Sequence, residues 1–309
     1  MTFPPSSPQG GYGYPLPPAV CVRHPDRPTG LRCVRCDRSA CPECLRPAAV
    51  GFQCVDCIAE GRRTQRYSTT VAGARPSGRD LVVPVLIAVN AAVFVATVAP
   101  SLFGNAASSL FQQWALSPLA VAGGQLWRLL TSGFLHFGPV HLAFNMIALW
   151  VIGRDRDLET ELGRGRLVTV YLVSLLGGSA AVFLLENVQS MTAGASGAVY
   201  GLMGGLAVVL LRLRRSPGPA LGIIAINVVI TFVLREYLSL FGHLGGLAFG
   251  TAATVAMVYA PAARRVPVQV AAVAALAAVI AGLVLTADAR YGDVRDCRSE
   301  PPLTCSVGP

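Results

Sequence analysis

From residue 81 onward, apolar residues come in long, nearly unbroken blocks separated by short connectors that carry arginine. Neither a two-residue alternation nor a one-sided helical stripe describes them, so they read as segments that are apolar all round. A bilayer core about 30 Å thick takes roughly 17 to 25 such residues per helix. Seven blocks approach or meet that length: 81–99, 139–153, 167–186, 194–211, 219–238, 242–260 and 268–287. The second spans only if it begins within Phe134 to Pro139. Because a helix satisfies its own backbone groups in hydrocarbon, the pattern predicts an all-α polytopic membrane protein.

Composition agrees, with 53% hydrophobic and 13% charged residues over 309 positions and a mean hydropathy of +0.55. That balance excludes an ordinary soluble globule. The arginines then set an orientation, since cytoplasmic flanks are enriched in positive charge. Arg62, Arg63, Arg66, Arg75 and Arg79 precede the first block, Arg154, Arg156, Arg164 and Arg166 follow the second, Arg212, Arg214 and Arg215 the fourth, and Arg264 and Arg265 the sixth. The opposite loops hold only Arg128 and Arg235. The N-terminus is therefore expected in the cytoplasm and the C-terminus outside, in a bacterial plasma membrane. No signal-peptide pattern is expected, because the first sufficient apolar run begins at Leu81. The formal charge of +9 is spread over alternate membrane flanks, which excludes a nucleic-acid surface.

Polar residues inside such blocks carry the chemistry, because hydrocarbon penalises them unless they pair or function. Blocks two, four and six run in one direction, so residues near their starts share one depth. His141 and Asn145, Ser196 and Tyr200, and His243 all lie there. A four-residue spacing puts His141 with Asn145, and Ser196 with Tyr200, on common helix faces. Gly246 and Gly250 form a G-x-x-x-G pattern after His243, and Gly197, Gly201, Gly204 and Gly205 smooth block four. Such surfaces let helix backbones approach closely. A serine hydroxyl needs an adjacent base, and histidine is the usual one. The Ser196 backbone N–H with His141 and Asn145 would supply oxyanion donors. The reading is a Ser/His dyad without a carboxylate. Ala198 stands where the nucleophile elbow of soluble hydrolases requires glycine, which excludes that class.

Trp127-Arg128, Gly133-Phe134-Leu135-His136, His141-Leu142-Ala143-Phe144-Asn145-Met146, Gly194-Ala195-Ser196-Gly197 with Tyr200, and Gly242-His243-Leu244-Gly245-Gly246 together resemble the rhomboid family of intramembrane serine proteases. The resemblance runs from about Arg79 to Ala260. It implies a six-helix core, here followed by one more helix, and cleavage of transmembrane proteins near the outer surface through an acyl-enzyme. It also implies Ser196 as nucleophile, His243 as base, His141 and Asn145 as oxyanion donors and Tyr200 packed on His243. Trp127 and Arg128 would belong to a loop lying partly in lipid, and block five would be a lateral gate. His136 would support the loop or hydrogen-bond near the oxyanion site. The alternative is a non-catalytic membrane binder that holds transmembrane clients in the same bundle.

The first third is a different object. Residues 1–18 are rich in Pro, Gly and Tyr and are expected to be a disordered tail. Residues 19–58 carry Cys21-x-x-His24, Cys33-x-x-Cys36, Cys41-x-x-Cys44 and Cys54-x-x-Cys57, eight donors suited to two structural Zn2+ ions. Zinc would supply folding energy that so small a segment lacks. The pattern resembles B-box and RING-like fingers, which pair the first motif with the third and the second with the fourth; sequential pairing is the alternative. A cytosolic partner or a purely stabilising role would suit the module equally. Residues 59–79 read as a basic linker near lipid headgroups, 80–261 as the six-helix core, and 262–309 as the seventh helix with an outer tail. In that tail Cys297 and Cys305 are expected to form a disulfide.

Overall fold

A computed structural model describes residues 19–64, 69–75, 80–97, 108–153, 156–292, 294–298 and 304–307. The tail of residues 1–18 lies outside the described residues, as do the side chains of Cys297 and Cys305. The chain forms two compact units, one ending at Tyr67 and the other beginning at Ser68.

In the first unit, β1 (Val20–Cys21) and β2 (His24–Pro28) form an antiparallel hairpin that sets Cys21 opposite His24. A 3-10 turn over Pro42–Cys44 leads into β3 (Leu45–Pro47), which pairs with β4 (Phe52–Cys54) so that Leu45 faces Cys54. Helix α1 (Val55–Thr64) follows, with Asp56 in its first turn and Arg62 and Arg63 in its last, as the helix dipole favours. The stretch read as linker thus begins as helix. Besides six cysteines, only Ala40 and Leu45 are buried apolar residues among the described residues of this unit. A buried leucine contributes about 1.5–3 kcal/mol, whereas ordering each backbone residue costs about 1–2 kcal/mol. Apolar burial alone does not hold this unit.

The second unit opens with α2 (Val82–Ala96). Glu159, 2% exposed, accepts hydrogen bonds from the backbone N–H groups of Leu81 at 2.8 Å and Val82 at 3.1 and 3.2 Å, and so caps α2 from a distant part of the chain. Three short helices, α3 (Ser109–Trp114), α4 (Pro118–Ala122) and α5 (Arg128–Thr131), and a 3-10 turn over Ser132–Phe134 precede α6 (Pro139–Gly153). Then come α7 (Arg156–Leu162), which carries Glu159, α8 (Arg164–Leu185), α9 (Ser196–Arg212), α10 (Gly218–Val233), α11 (Leu240–Tyr259) and α12 (Arg265–Tyr291). The last described elements, β5 (Val294–Arg298) and β6 (Thr304–Val307), form an antiparallel hairpin.

All seven apolar blocks are helices, and several are shorter than a full span. Among the described residues, three stretches are long and apolar enough to cross a membrane: α8, α11 and residues 262–291. The segment 128–134 and α6, bent by 89°, make a fourth if counted together. Helix α9 has 17 residues, about 26 Å of rise against a core of about 30 Å. It tolerates the shortfall because protein surrounds it: every residue from Ala198 to Leu210 is buried, and α8, α9 and α11 pack on one another. The chain therefore begins α9 inside the bundle, and Ser196 is its first residue.

Glycine sets the spacing of α9 and α11. A Cβ at Gly246 would enter the backbone of Gly197, and one at Gly250 the backbone of Gly201. The expected close approach of these two glycine-rich faces is thus present. Backbone cannot rotate aside as a side chain can, so Gly246→Val is expected to lower stability by at least about 1–3 kcal/mol, the usual cost of overpacking. Gly282→Val on α12, where a Cβ meets nothing within 4 Å, is the matched control. Thermal unfolding in detergent compares the two, and equal midpoints would contradict this packing.

Candidate active site

Helix α11 begins after Ser239, whose hydroxyl accepts the Gly242 N–H at 3.0 Å and caps the helix. This start places His243 in the first turn, 6% exposed. Its Nε2 lies 2.7 Å from Ser196 Oγ. Tyr200, one turn along α9, stacks on the imidazole with centroids 4.3 Å apart and planes 13° apart. The three residues come from two helices that the small-residue faces hold together.

Helix α6 supplies the next pair. The backbone N–H of Phe137 donates to His141 Nδ1 at 3.4 Å, which leaves Nε2 as the nitrogen that carries hydrogen. That nitrogen faces the Gly194 turn: a Cβ on Gly194 would lie 3.0 Å from it and 3.7 Å from Ser196 Oγ. Gly194 also has φ of +132°, where side chains are rarely accommodated. Glycine therefore lets the His141 ring reach the serine turn. Asn145, buried one turn on, donates an amide N–H to His141 O at 3.0 Å. This bond is local to α6. His136 is fully buried and meets His141 edge-on at 5.1 Å.

The segment before Ser196 is stitched to the α3–α5 region. Leu116 and Thr192 exchange backbone hydrogen bonds of 3.0 and 2.8 Å, and Gly194 N donates to Ser132 O at 3.0 Å. Arg128 anchors that region from within, fully buried, with Nη1 at 2.6 Å from the carbonyls of both Gln112 and Ala115 and Nε at 2.7 Å from Gln125 Oε1. Trp127 is half exposed and donates from Nε1 to Gln113 O at 3.3 Å. Hydrogen bonds from a charged donor contribute about 1.5–3 kcal/mol each. Arg128→Met is therefore expected to loosen residues 108–131 and, through Leu116 and Thr192, the serine turn. Faster proteolytic nicking within 108–131 is the check, and unchanged protection would count against this anchoring.

Sequence reasoning passed over one residue of this site. Thr231 of α10 is 1% exposed, and its Oγ1 lies 2.8 Å from His243 Nδ1 and 2.7 Å from the Tyr200 hydroxyl. The available signal was a lone hydroxyl in the run Val228-Val229-Ile230-Thr231-Phe232-Val233. Asn227 in the same helix is only partly buried and bonds back to Ile223 O, so polarity by itself does not distinguish the inward residue.

In the first unit, the eight Cys and His donors gather into two sets, Cys21, His24, Cys41 and Cys44, and Cys33, Cys36, Cys54 and Cys57. The first motif joins the third and the second joins the fourth, as in the cross-braced arrangement. His24 Nδ1 lies 3.4 Å from the sulfurs of Cys41 and Cys44 and 3.8 Å from that of Cys21, and Cys36 and Cys54 sulfurs are 3.8 Å apart. Tetrahedral ligands at about 2.0–2.3 Å from a metal would stand roughly 3.5–3.8 Å from one another. The clustered sulfurs do not all ionise unaided: Cys36, burial and Cys54 push the Cys57 thiol up to about 12, and burial with Cys41 and Cys21 pushes Cys44 up to about 11. A divalent cation at each centre would relieve that crowding.

A family model of the Rhomboid domain matches residues 123–260, the stretch that holds Arg128, His141, Ser196, Thr231 and His243. The chain is 39% identical over 142 residues to the rhomboid protease GluP of Bacillus subtilis, covering 44% of this chain and 27% of GluP. YdcA, a rhomboid protein of the same organism, is 31% identical over 137 residues, which cover 43% of this chain and 67% of YdcA. The Inactive RHOMBOID-like protein 8 of Arabidopsis thaliana is 30% identical over 173 residues, covering 54% of this chain and 48% of that protein. The chain spans less than half the length of the first curated relatives it matches. With this match laid over apolar helices that gather serine, histidine and tyrosine at one end of the bundle, the chain is an integral membrane protein that belongs to the rhomboid family.

Proposed function

We propose that the protein is an intramembrane serine endopeptidase acting on transmembrane proteins through Ser196 and His243. The observation that carries this reading is the 2.7 Å contact between Ser196 Oγ and His243 Nε2, made between helices that glycine brings into backbone contact. In the proposed reaction, Ser196 Oγ attacks the scissile carbonyl carbon while its proton passes to His243 Nε2. The developing oxyanion is received by the Ser196 backbone N–H and His141 Nε2–H, with Asn145 holding the His141 turn and adding its amide. The C–N bond then breaks as the imidazolium returns the proton to the leaving amine. Water, activated by the same imidazole, hydrolyses the acyl-enzyme and regenerates the serine.

The arginine distribution supports a cytoplasmic N-terminus and a site near the outer membrane surface. For the first unit, the two four-donor sets support one structural Zn2+ each, held by Cys21, His24, Cys41 and Cys44 and by Cys33, Cys36, Cys54 and Cys57. Four protein ligands leave no open coordination position, so zinc supplies folding energy there rather than chemistry.

The test is the full chain in lipid vesicles, given a fluorogenic single-span reporter and, separately, a fluorophosphonate. Cleavage together with a phosphonyl adduct mapped to Ser196 is the expected result. Reporter binding with neither cleavage nor adduct would replace this reading with that of a client-holding membrane binder.

A further inference from the structure

Of the sixteen residues of α10, only Ala220 and Thr231 are buried. The helix lies against α9 and α11, and its inward hydroxyl bridges the polar atoms of the two stacked rings of the candidate site. Thr231 Oγ1 touches His243 Nδ1 at 2.8 Å and the Tyr200 hydroxyl at 2.7 Å. The chain of contacts from Ser196 Oγ through the imidazole to Thr231 and Tyr200 thus crosses three helices.

We propose that Thr231 is a positioning residue for His243: it accepts the Nδ1–H, donates its own hydrogen to the Tyr200 hydroxyl, and holds Nε2 as the nitrogen that faces Ser196 with a free lone pair. The proposal rests on the protease reading of the site. It follows from counting hydrogens, since a threonine hydroxyl has one hydrogen to give and two lone pairs. If the chain ran the other way, Tyr200 would donate to Thr231 and Thr231 to Nδ1. Nε2 would then carry the hydrogen and be unable to take another from Ser196. When the serine proton does move to Nε2, both ring nitrogens become donors, and Nδ1–H needs an acceptor at once. Only the first direction has one in place.

Soluble triads put a carboxylate at this position. A buried anion is costly without full compensation, and a neutral hydroxyl supplies the acceptor without it. The Tyr200 ring, nearly parallel to the imidazole, restrains its tilt while Thr231 sets its rotation. The two contacts also give α10, whose side chains are otherwise largely on the surface, a buried polar attachment to the site.

The test compares wild type, Thr231→Val, Thr231→Ser, Tyr200→Phe and Ser196→Ala in vesicles, measuring reporter kcat and KM and the rate of fluorophosphonate labelling. Thr231→Val is expected to lower kcat and the labelling rate together by about 10- to 100-fold, a part of what a positioned base contributes, with little change in KM. Thr231→Ser keeps the hydroxyl and should recover most of the loss. Tyr200→Phe keeps the stacked ring but removes the acceptor, so its kcat should fall as well, and it stands in for Thr231→Val should that variant not fold. Wild-type kcat in a folded Thr231→Val or in Tyr200→Phe, or a Thr231→Ser as impaired as Thr231→Val, would overturn the role. Cleavage surviving in Ser196→Ala would instead sink the dyad reading and Thr231's role with it, so the two failures are told apart.

Discussion

Replacing Ser196 or His243 by alanine in the full chain is expected to lower reporter turnover by about 10⁴- to 10⁶-fold, and the double variant is expected to lose no more than the worse single one. The reason is that the two side chains act as one unit across their 2.7 Å contact. Without the imidazole the hydroxyl keeps its proton, and without the hydroxyl there is nothing for the imidazole to activate. What remains is whatever the His141 and backbone donors contribute to an attack by water. Both variants should fold. Ser196 is only partly buried at the start of α9, and its replacement removes one oxygen. His243→Ala removes a larger ring, so its thermal midpoint is the necessary companion measurement. Losses in the two single variants that multiply in the double would mean independent contributions and would break the dyad reading.

The second large effect concerns the first unit. Removing metal with a strong zinc chelator is expected to unfold residues 19–64, because structural zinc contributes an apparent 10–16 kcal/mol in modules of this kind, while Ala40 and Leu45 are the only buried apolar side chains there besides cysteine. Elemental analysis should find two zinc ions per chain before chelation, and limited proteolysis should then cut within 19–64 while α8, α9 and α11 stay protected. Cys33→Ser should reproduce the effect at one site, by leaving Cys36, Cys54 and Cys57 without their fourth donor. Cleavage should persist, since the Ser196 site lies wholly in the second unit. A protein that stays protected within 19–64 after its metal is gone would refute zinc as the source of this unit's stability. Loss of all cleavage from a still-folded second unit would refute the separation of the two units' roles.

Much of the architecture was legible in the chain because it depends on local quantities. The seven apolar blocks became α2, α6, α8, α9, α10, α11 and α12, since the length and apolarity of a segment already dictate a helix in hydrocarbon. The order Gly194-Ala195-Ser196-Gly197 and the Gly246, Gly250 spacing were likewise readable, because which residues share a helix face follows from 3.6 residues per turn. Glu159 was not readable as the cap of α2, which lies about eighty positions earlier in the chain. Nor was the short reach of α9, which its burial by neighbouring helices permits.

By itself, then, the sequence determined a helical membrane protein with a serine, two histidines and an asparagine near one depth, and eight metal-type donors in pairs. Only the tertiary structure decided that the donors gather first with third and second with fourth, that Arg128 is buried on carbonyls of residues 112 and 115, and that Thr231 completes the hydrogen bonds of His243. The physical reason is rotational. A block apolar on every side carries no stripe to say which face turns inward, so the facing of α10, and with it the contact of Thr231, is set by how the helices pack rather than by anything written along one of them.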